Sequence, residues 1–435
     1  MAPDSTPTPL QTILFELLRQ SGPITFEQFM SLCLYHPQHG YYIEGGERTG
    51  VRGDYFTSPD LHPIFARLIV RQAAEMWEFL DRPPQFTWVE MGAGRGWFAR
   101  DFLLWAATRQ PDFADALDYV AIEPGVAQRE RIAGRLAEAG FAGRVRLVDN
   151  LEDLAPQVRA HHGEHREHGE SASSVPVSSV LDSSLPSSPS PTGKSRVETG
   201  LASTVMGCFF SNELIDSFPV AIVTRSQGRL REIYVALDGE TLRETTGPIR
   251  DPAVAAAVAR YGRELEEGHR VEVSLEARRW MRSVAEKLSR GFVLTIDYGD
   301  LARRLYTQDR PRGTIMAYRG HTASDDVLAK PGEQDLTAHV NFSALIDAGK
   351  EAGLACLGFT TQERFLMALG ESTAFGDLYD PGQTAVQQLD ARLKLKRLIH
   401  PEGMGAIFKV LAQYRGPGDA PLPQLMGFPK TDLTF

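Results

Sequence analysis

The stretch Val89-Glu90-Met91-Gly92-Ala93-Gly94-Arg95-Gly96 constrains this chain more than any other. It follows the apolar run at 86–91 and precedes a helical pattern at 97–109. Glycines at such a junction let the backbone turn tightly and come within contact of a ligand. The helix start beyond them offers free N–H groups and the positive end of a dipole. A strand that feeds a helix through this kind of turn predicts an open α/β sheet, with the ligand at the carboxyl ends of the strands. Spacing narrows the ligand. A dinucleotide fingerprint is GxGxxG, whereas this one is ExGxGxG. Its third glycine comes one residue early, and Glu90 stands two residues before the first.

Further strand patterns follow at 118–123, 144–149, 205–211, 291–298, 354–361 and 405–414. Helical patterns at 126–139, 252–267, 275–289, 341–352 and 384–399 alternate with them. That alternation predicts a doubly wound, mostly parallel sheet. Residues 219–236 read as a hairpin turning at Gln227-Gly228. Residues 155–203 break the pattern with Ser, Pro and His. A tract of this kind cannot bury enough apolar surface to offset its ordering entropy, so a disordered insertion is expected. Its four histidines (His161, His162, His165, His168) are expected to be solvated rather than to bind metal.

Composition excludes several classes. The 435 residues carry a net charge of −10, which argues against a broad nucleic-acid-binding face. Cys33, Cys208 and Cys356 lie far apart with no CxxC pair, so neither a disulfide framework nor a metal site is expected. The first residues lack a basic n-region, and no run reaches the roughly 18–20 apolar residues of a membrane span. A cytoplasmic protein is the expectation.

Two groups of polar residues fall where a bound ligand would sit. Glu123 ends the second strand, where an acidic side chain can accept hydrogen bonds from both ribose hydroxyls. The next strand leads to Asp149-Asn150, at the level of an adenine ring. The fourth strand leads to Asn212, Glu213 and Asp216, followed by Pro219. These could hold a nucleophilic nitrogen, or cap a short helix.

These stretches recur with others. They are Gly53-Asp54-Tyr55-Phe56-Thr57-Ser58-Pro59-Asp60, Arg312-Gly313-Thr314 with Tyr318 and His321, Asp335–Phe342, and Met404-Gly405 before Phe408-Lys409-Val410. Together they resemble the MidA-type methyltransferase family, from about residue 10 to 415 without 155–203. The glycine stretch is similar to motif I of class I methyltransferases. Departures are mild: Ala93 where members often have Pro, and Asp60 where they often have Glu.

The resemblance implies a class I methyltransferase, Rossmann-like α/β fold with a seven-stranded, mostly parallel sheet. It implies an N-terminal helical lid over 1–85 and a core over 86–300 with a hairpin and helical insertion at 219–289. A cleft-building segment at 301–415 and a loose tail at 416–435 complete the expected organisation. The implied cofactor is S-adenosyl-L-methionine, held by Glu90, Gly92, Gly94, Gly96, Glu123, Asp149 and Asn150. The implied catalytic residues are Glu213, Asn212, Asp216 and His339, the last as a proton relay. The implied acceptor is an arginine of a protein substrate, with a respiratory complex I subunit as one candidate partner; a homodimer is compatible. The alternatives are a methyltransferase acting on a small molecule or another side chain, and a non-catalytic assembly factor that keeps the fold. The intact glycine loop and Glu213 favour an enzyme.

Overall fold

The apolar run Phe86–Met91 is buried along its whole length, as a strand covered on both faces must be. It forms the centre of the computed structural model, which describes residues 7–43, 50, 53–54, 57–154, 204–262, 265–419 and 421–429. The main strands are β1 (Phe86–Met91), β2 (Leu117–Ile122), β3 (Val145–Val148), β4 (Val205–Asn212), β5 (Leu288–Asp300), β6 (Ala355–Thr361) and β7 (Phe408–Arg415). They lie in the order β6-β7-β5-β4-β1-β2-β3. Strands β1 to β5 pair in parallel, and β7 runs antiparallel to both β5 and β6. A two-residue strand, Val340–Asn341, joins the end of β5. The sheet therefore has eight strands rather than the seven expected. Two residues are too few to show any periodicity in the sequence.

Alternation along β1 sends successive side chains to opposite faces. Trp88 packs against Phe102 and Phe210, with ring centroids 4.8 and 5.2 Å apart. Val89 belongs to the other face, with Phe209, Met281 and Val293. Burial on both faces makes the fold doubly wound.

A second sheet of five strands stands beside the first. The expected hairpin is there, as Ala221–Ser226 and Arg229–Asp238. Its turn places Gln227 and Gly228 at φ of 53° and 72°, the conformation a tight hairpin requires. Thr241–Gly247 and Arg270–Val273 extend it. Ile24–Thr25 adds an N-terminal strand, Ile24 opposite Val235. Helices α1 (Pro9–Ser21) and α2 (Phe26–Tyr35) flank that strand and share one apolar cluster with the sheet. Helix α2 starts in a capping box between Thr25 and Gln28. Helices α3 (Trp97–Arg109) and α4 (Val126–Glu138) follow β1 and β2.

The tail is a correction. A loose segment was expected after residue 416, but Leu425 and Phe428 are buried. Phe428 packs on Phe365 at 5.4 Å, and the Met426 N–H donates to Glu75. Two apolar residues among prolines suffice to anchor it. The expected insertion at 155–203 lies outside the described residues. Among the described residues no helix is long and apolar enough to cross a membrane, and no cluster of His, Cys, Asp and Glu suits a metal.

Candidate active site

The three glycines after β1 all adopt positive φ: 74° at Gly92, 52° at Gly94 and 73° at Gly96. Two are also tightly packed against side chains. A Cβ on Gly92 would stand 3.0 Å from Leu214, and one on Gly96 would stand 3.0 Å from Ile132 of α4. Gly94 differs, because a Cβ there would meet no atom nearer than the Gly92 carbonyl at 4.0 Å. The space beside Gly94 is open cleft.

The loop is tied to the next strand and helix. The Gly94 N–H donates to Glu123 Oε2 at 3.1 Å, and the Gly125 N–H to Glu123 Oε1 at 3.4 Å. Gln128 Nε2 donates to the Gly94 carbonyl at 2.6 Å. Burial raises the Glu123 pKa, against the pull of those two N–H groups. Glu90 lies deeper and accepts from Tyr119 Oη at 2.7 Å. Burial pushes its pKa up to about 8.

A cleft of about 1580 Å³ opens over these groups, at the carboxyl ends of β1, β2 and β4. Its walls include Gly92–Arg95, Glu123–Gln128 and Asn212–Leu214, and on the far side Tyr35 of α2. Pockets for one small ligand run to roughly 300–1,000 Å³. This cleft has room for a cofactor and a second reactant.

Glu213 stands where β4 ends, and its φ of 54° is rare outside glycine. Its Oε1 accepts from the Ser58 N–H at 3.1 Å and from Asn212 Nδ2 at 2.9 Å. Burial drives its pKa up to about 8; Asp297 and Asp60 add to the rise, and the two hydrogen bonds oppose it. Asn212 Oδ1 is buried without a hydrogen-bond partner among the described residues.

Of the remaining expected site residues, Asp216 lies near Glu213 but not on the cleft wall, and His339, Asp149 and Asn150 do not line the cleft. Asp216 is buried behind the loop and does not line the cleft. Burial, with Asp297, Asp335 and Glu213 nearby, holds its carboxyl well above the usual range. His339 lines a separate cavity of about 40 Å³ with Glu272 and Tyr306. Burial, with Arg310 and Lys409 adding to it, pushes its pKa down to about 4. A neutral imidazole outside the cleft does not fit the proton relay expected of it. Asp149 faces Arg129 at 3.9 Å, and Asn150 caps its own turn by accepting the Glu152 and Asp153 N–H groups. Neither lines the cleft.

Sequence reasoning missed Ser58, Asp60, Gln128 and Asp297. Asp60 closes a capping box with Thr57 and lies 3.7 Å from Arg95. The S/T-x-x-E/Q-like spacing of Thr57 and Asp60 was the available signal. Gln128 was only one polar residue on an amphipathic helix.

Residues 68–360 match the model of a family of S-adenosyl-L-methionine-dependent methyltransferases. The chain is 27% identical to mouse (Mus musculus) protein arginine methyltransferase NDUFAF7, mitochondrial, over 414 residues, 93% of this chain and 84% of that protein. The Xenopus tropicalis protein of the same name is 26% identical over 434 residues, 97% and 89% of the two chains. A crystal structure of a Burkholderia thailandensis protein bound to S-adenosyl-homocysteine is similar with a TM-score of 0.77 and 28% identity, covering 99% of this chain and 98% of that one.

Proposed function

Because the chain belongs to the MidA-type family of S-adenosyl-L-methionine-dependent methyltransferases, we propose that its acceptor is an arginine side chain of a protein. The cleft fits the cofactor: the space beside Gly94 is open, and Asn212, which lines the cleft, carries a buried carboxamide oxygen without a hydrogen-bond partner among the described residues. When bound, S-adenosyl-L-methionine supplies an electrophilic methyl group on a sulfonium. Gly92–Gly96 would receive its amino-acid end. Glu123 would receive its ribose hydroxyls, with Gly94 and Gly125 keeping the carboxylate in place.

Glu213 carries the arginine reading. Its Oε1 is held by Ser58 and Asn212, which leaves Oε2 for the acceptor. Burial raises its carboxyl pKa to about 8, which favours the protonated form in the free enzyme. An entering guanidinium favours the charged form, and a carboxylate paired to its forked donors fixes the orientation of the plane. Methyl transfer depends on such alignment, which is worth roughly 7–11 kcal/mol at its optimum. Helices α1 and α2 would act as a lid, since Tyr35 and neighbouring α2 residues form the far wall. The mouse and frog relatives, named as protein arginine methyltransferases, support the same acceptor.

Incubation with methyl-labelled S-adenosyl-L-methionine and a cell lysate, followed by hydrolysis of the labelled protein and amino-acid analysis, tests the reading. Label on methylated arginine is expected. Label confined to lysine, a carboxylate or a small molecule contradicts it.

A further inference from the structure

We propose that Asp297 is the positioning residue for Glu213, holding the loop in the one conformation from which that carboxyl can meet the acceptor. The proposal rests on the reading of Glu213 given above. Asp297 stands near the C-terminal end of β5 and is fully buried. The adjoining residue, Ile296, pairs with Asn212 of β4. Three consecutive amides of the loop are tied to this point. The Glu213 N–H donates to the Ile296 carbonyl at 3.0 Å. The Leu214 and Ile215 N–H groups donate to Asp297 Oδ2 at 3.2 and 2.8 Å. The other oxygen, Oδ1, accepts the Tyr298 N–H at 2.8 Å, which locks the side chain.

The loop needs such an anchor. A glutamate at φ of 54° relaxes to negative φ unless its surroundings over-determine it. The amides immediately after it supply that constraint only while one acceptor takes both. A buried carboxylate is costly without hydrogen bonds, and here all those drawn come from the backbone of the Glu213 loop and of Tyr298. An asparagine can present only one oxygen, so it cannot serve both ends.

The charge has a second effect. Asp297 and Asp60 face the Glu213 carboxyl, Asp216 lies behind the loop, and Tyr298 stands beside it. Both aspartates oppose ionisation of Glu213. Burial raises the Asp297 carboxyl as well, to about 7, so where Asp297 is ionised the loss of its charge lowers the pH at which Glu213 ionises, a change that a purely structural role does not produce.

The test compares Asp297→Asn, Asp297→Glu and Glu213→Gln in the full chain. Three quantities are measured: transfer of labelled methyl from S-adenosyl-L-methionine to lysate protein, calorimetric affinity for S-adenosyl-L-methionine, and titration of the ¹³C-labelled Glu213 carboxyl, assigned by its absence in Glu213→Gln. Asp297→Asn is expected to keep cofactor affinity, to lose transfer by about tenfold or more, and to shift the Glu213 midpoint down by about one pH unit. Asp297→Glu keeps the charge but moves the acceptor by one methylene, so transfer falls while the midpoint stays near that of the unaltered protein. Unaltered transfer in either variant overturns the proposal. So does lost transfer with an unmoved Glu213 midpoint in Asp297→Asn. If Asp297→Asn does not fold, transfer by Asp297→Glu decides. Full transfer by Glu213→Gln overturns the Glu213 reading itself and this proposal with it; full loss there with an unaffected Asp297→Glu overturns this proposal alone.

Discussion

Glu90 shares its burial with Glu213, and that burial raises both carboxyls well above the usual range, to about 8. The consequence for stability has a definite sign. A folded-state pKa raised above the unfolded value contributes stability that is complete below about 4.5, the ordinary value of an exposed glutamate, and is lost as pH rises through about 8. Glu90→Gln cannot ionise. Thermal melts between pH 5 and pH 9 should therefore show a shallower loss of Tm in Glu90→Gln than in the unaltered protein; parallel curves would mean that Glu90 ionises normally. Glu123, the proposed ribose acceptor, is tested through cofactor affinity. Glu123→Ala should weaken S-adenosyl-L-methionine binding by about 1.5–3 kcal/mol, the scale of hydrogen bonds to a charged group. Calorimetry checks this, and unchanged affinity would move the ribose contact elsewhere. Residues such as Glu123 and Glu213 were legible because strand ends are where open α/β sheets bind. Asp297 lies near a strand end, yet two of its partners are amides of another strand's loop, a contact no local pattern reveals. Asn150 misled for the opposite reason: its local turn satisfies its side chain.

At the scale of elements, the glycine loop does the most with the fewest side chains. Gly92 and Gly96 let the loop pack on Leu214 and Ile132, while Gly94 keeps the cleft floor open. Gly94→Val fills that floor and is disfavoured at positive φ. Binding of S-adenosyl-L-methionine to the folded variant should be lost in calorimetry; retained affinity would show that the ligand does not approach there. The long strands and helices were legible because continuous apolar runs, for strands buried on both faces, and period 3.6, for helices, stand out over six or more residues. Ile24–Thr25 and Val340–Asn341, at two residues each, were not. Ile24–Thr25 has a large effect all the same, since it joins the N-terminal helices to the second sheet.

The described residues form three sheets, of eight, five and three strands, with a cleft between the strand ends of the largest and the N-terminal helices. Its tail is part of the packing: Phe428→Ala should cost about 3–5 kcal/mol, as for other buried phenylalanines. Denaturant unfolding would read this, and a near-zero effect would return the tail to the loose state that its prolines suggested. The cleft's central claim is that one wall holds the cofactor while Glu213 orients the acceptor. Glu213→Gln separates the two most directly, because it keeps shape and removes the charge. Calorimetric affinity for S-adenosyl-L-methionine should be unchanged, while transfer of labelled methyl to protein should fall by about 10²-fold or more. Equal loss of cofactor affinity would assign Glu213 to the cofactor, and full transfer would contradict the account.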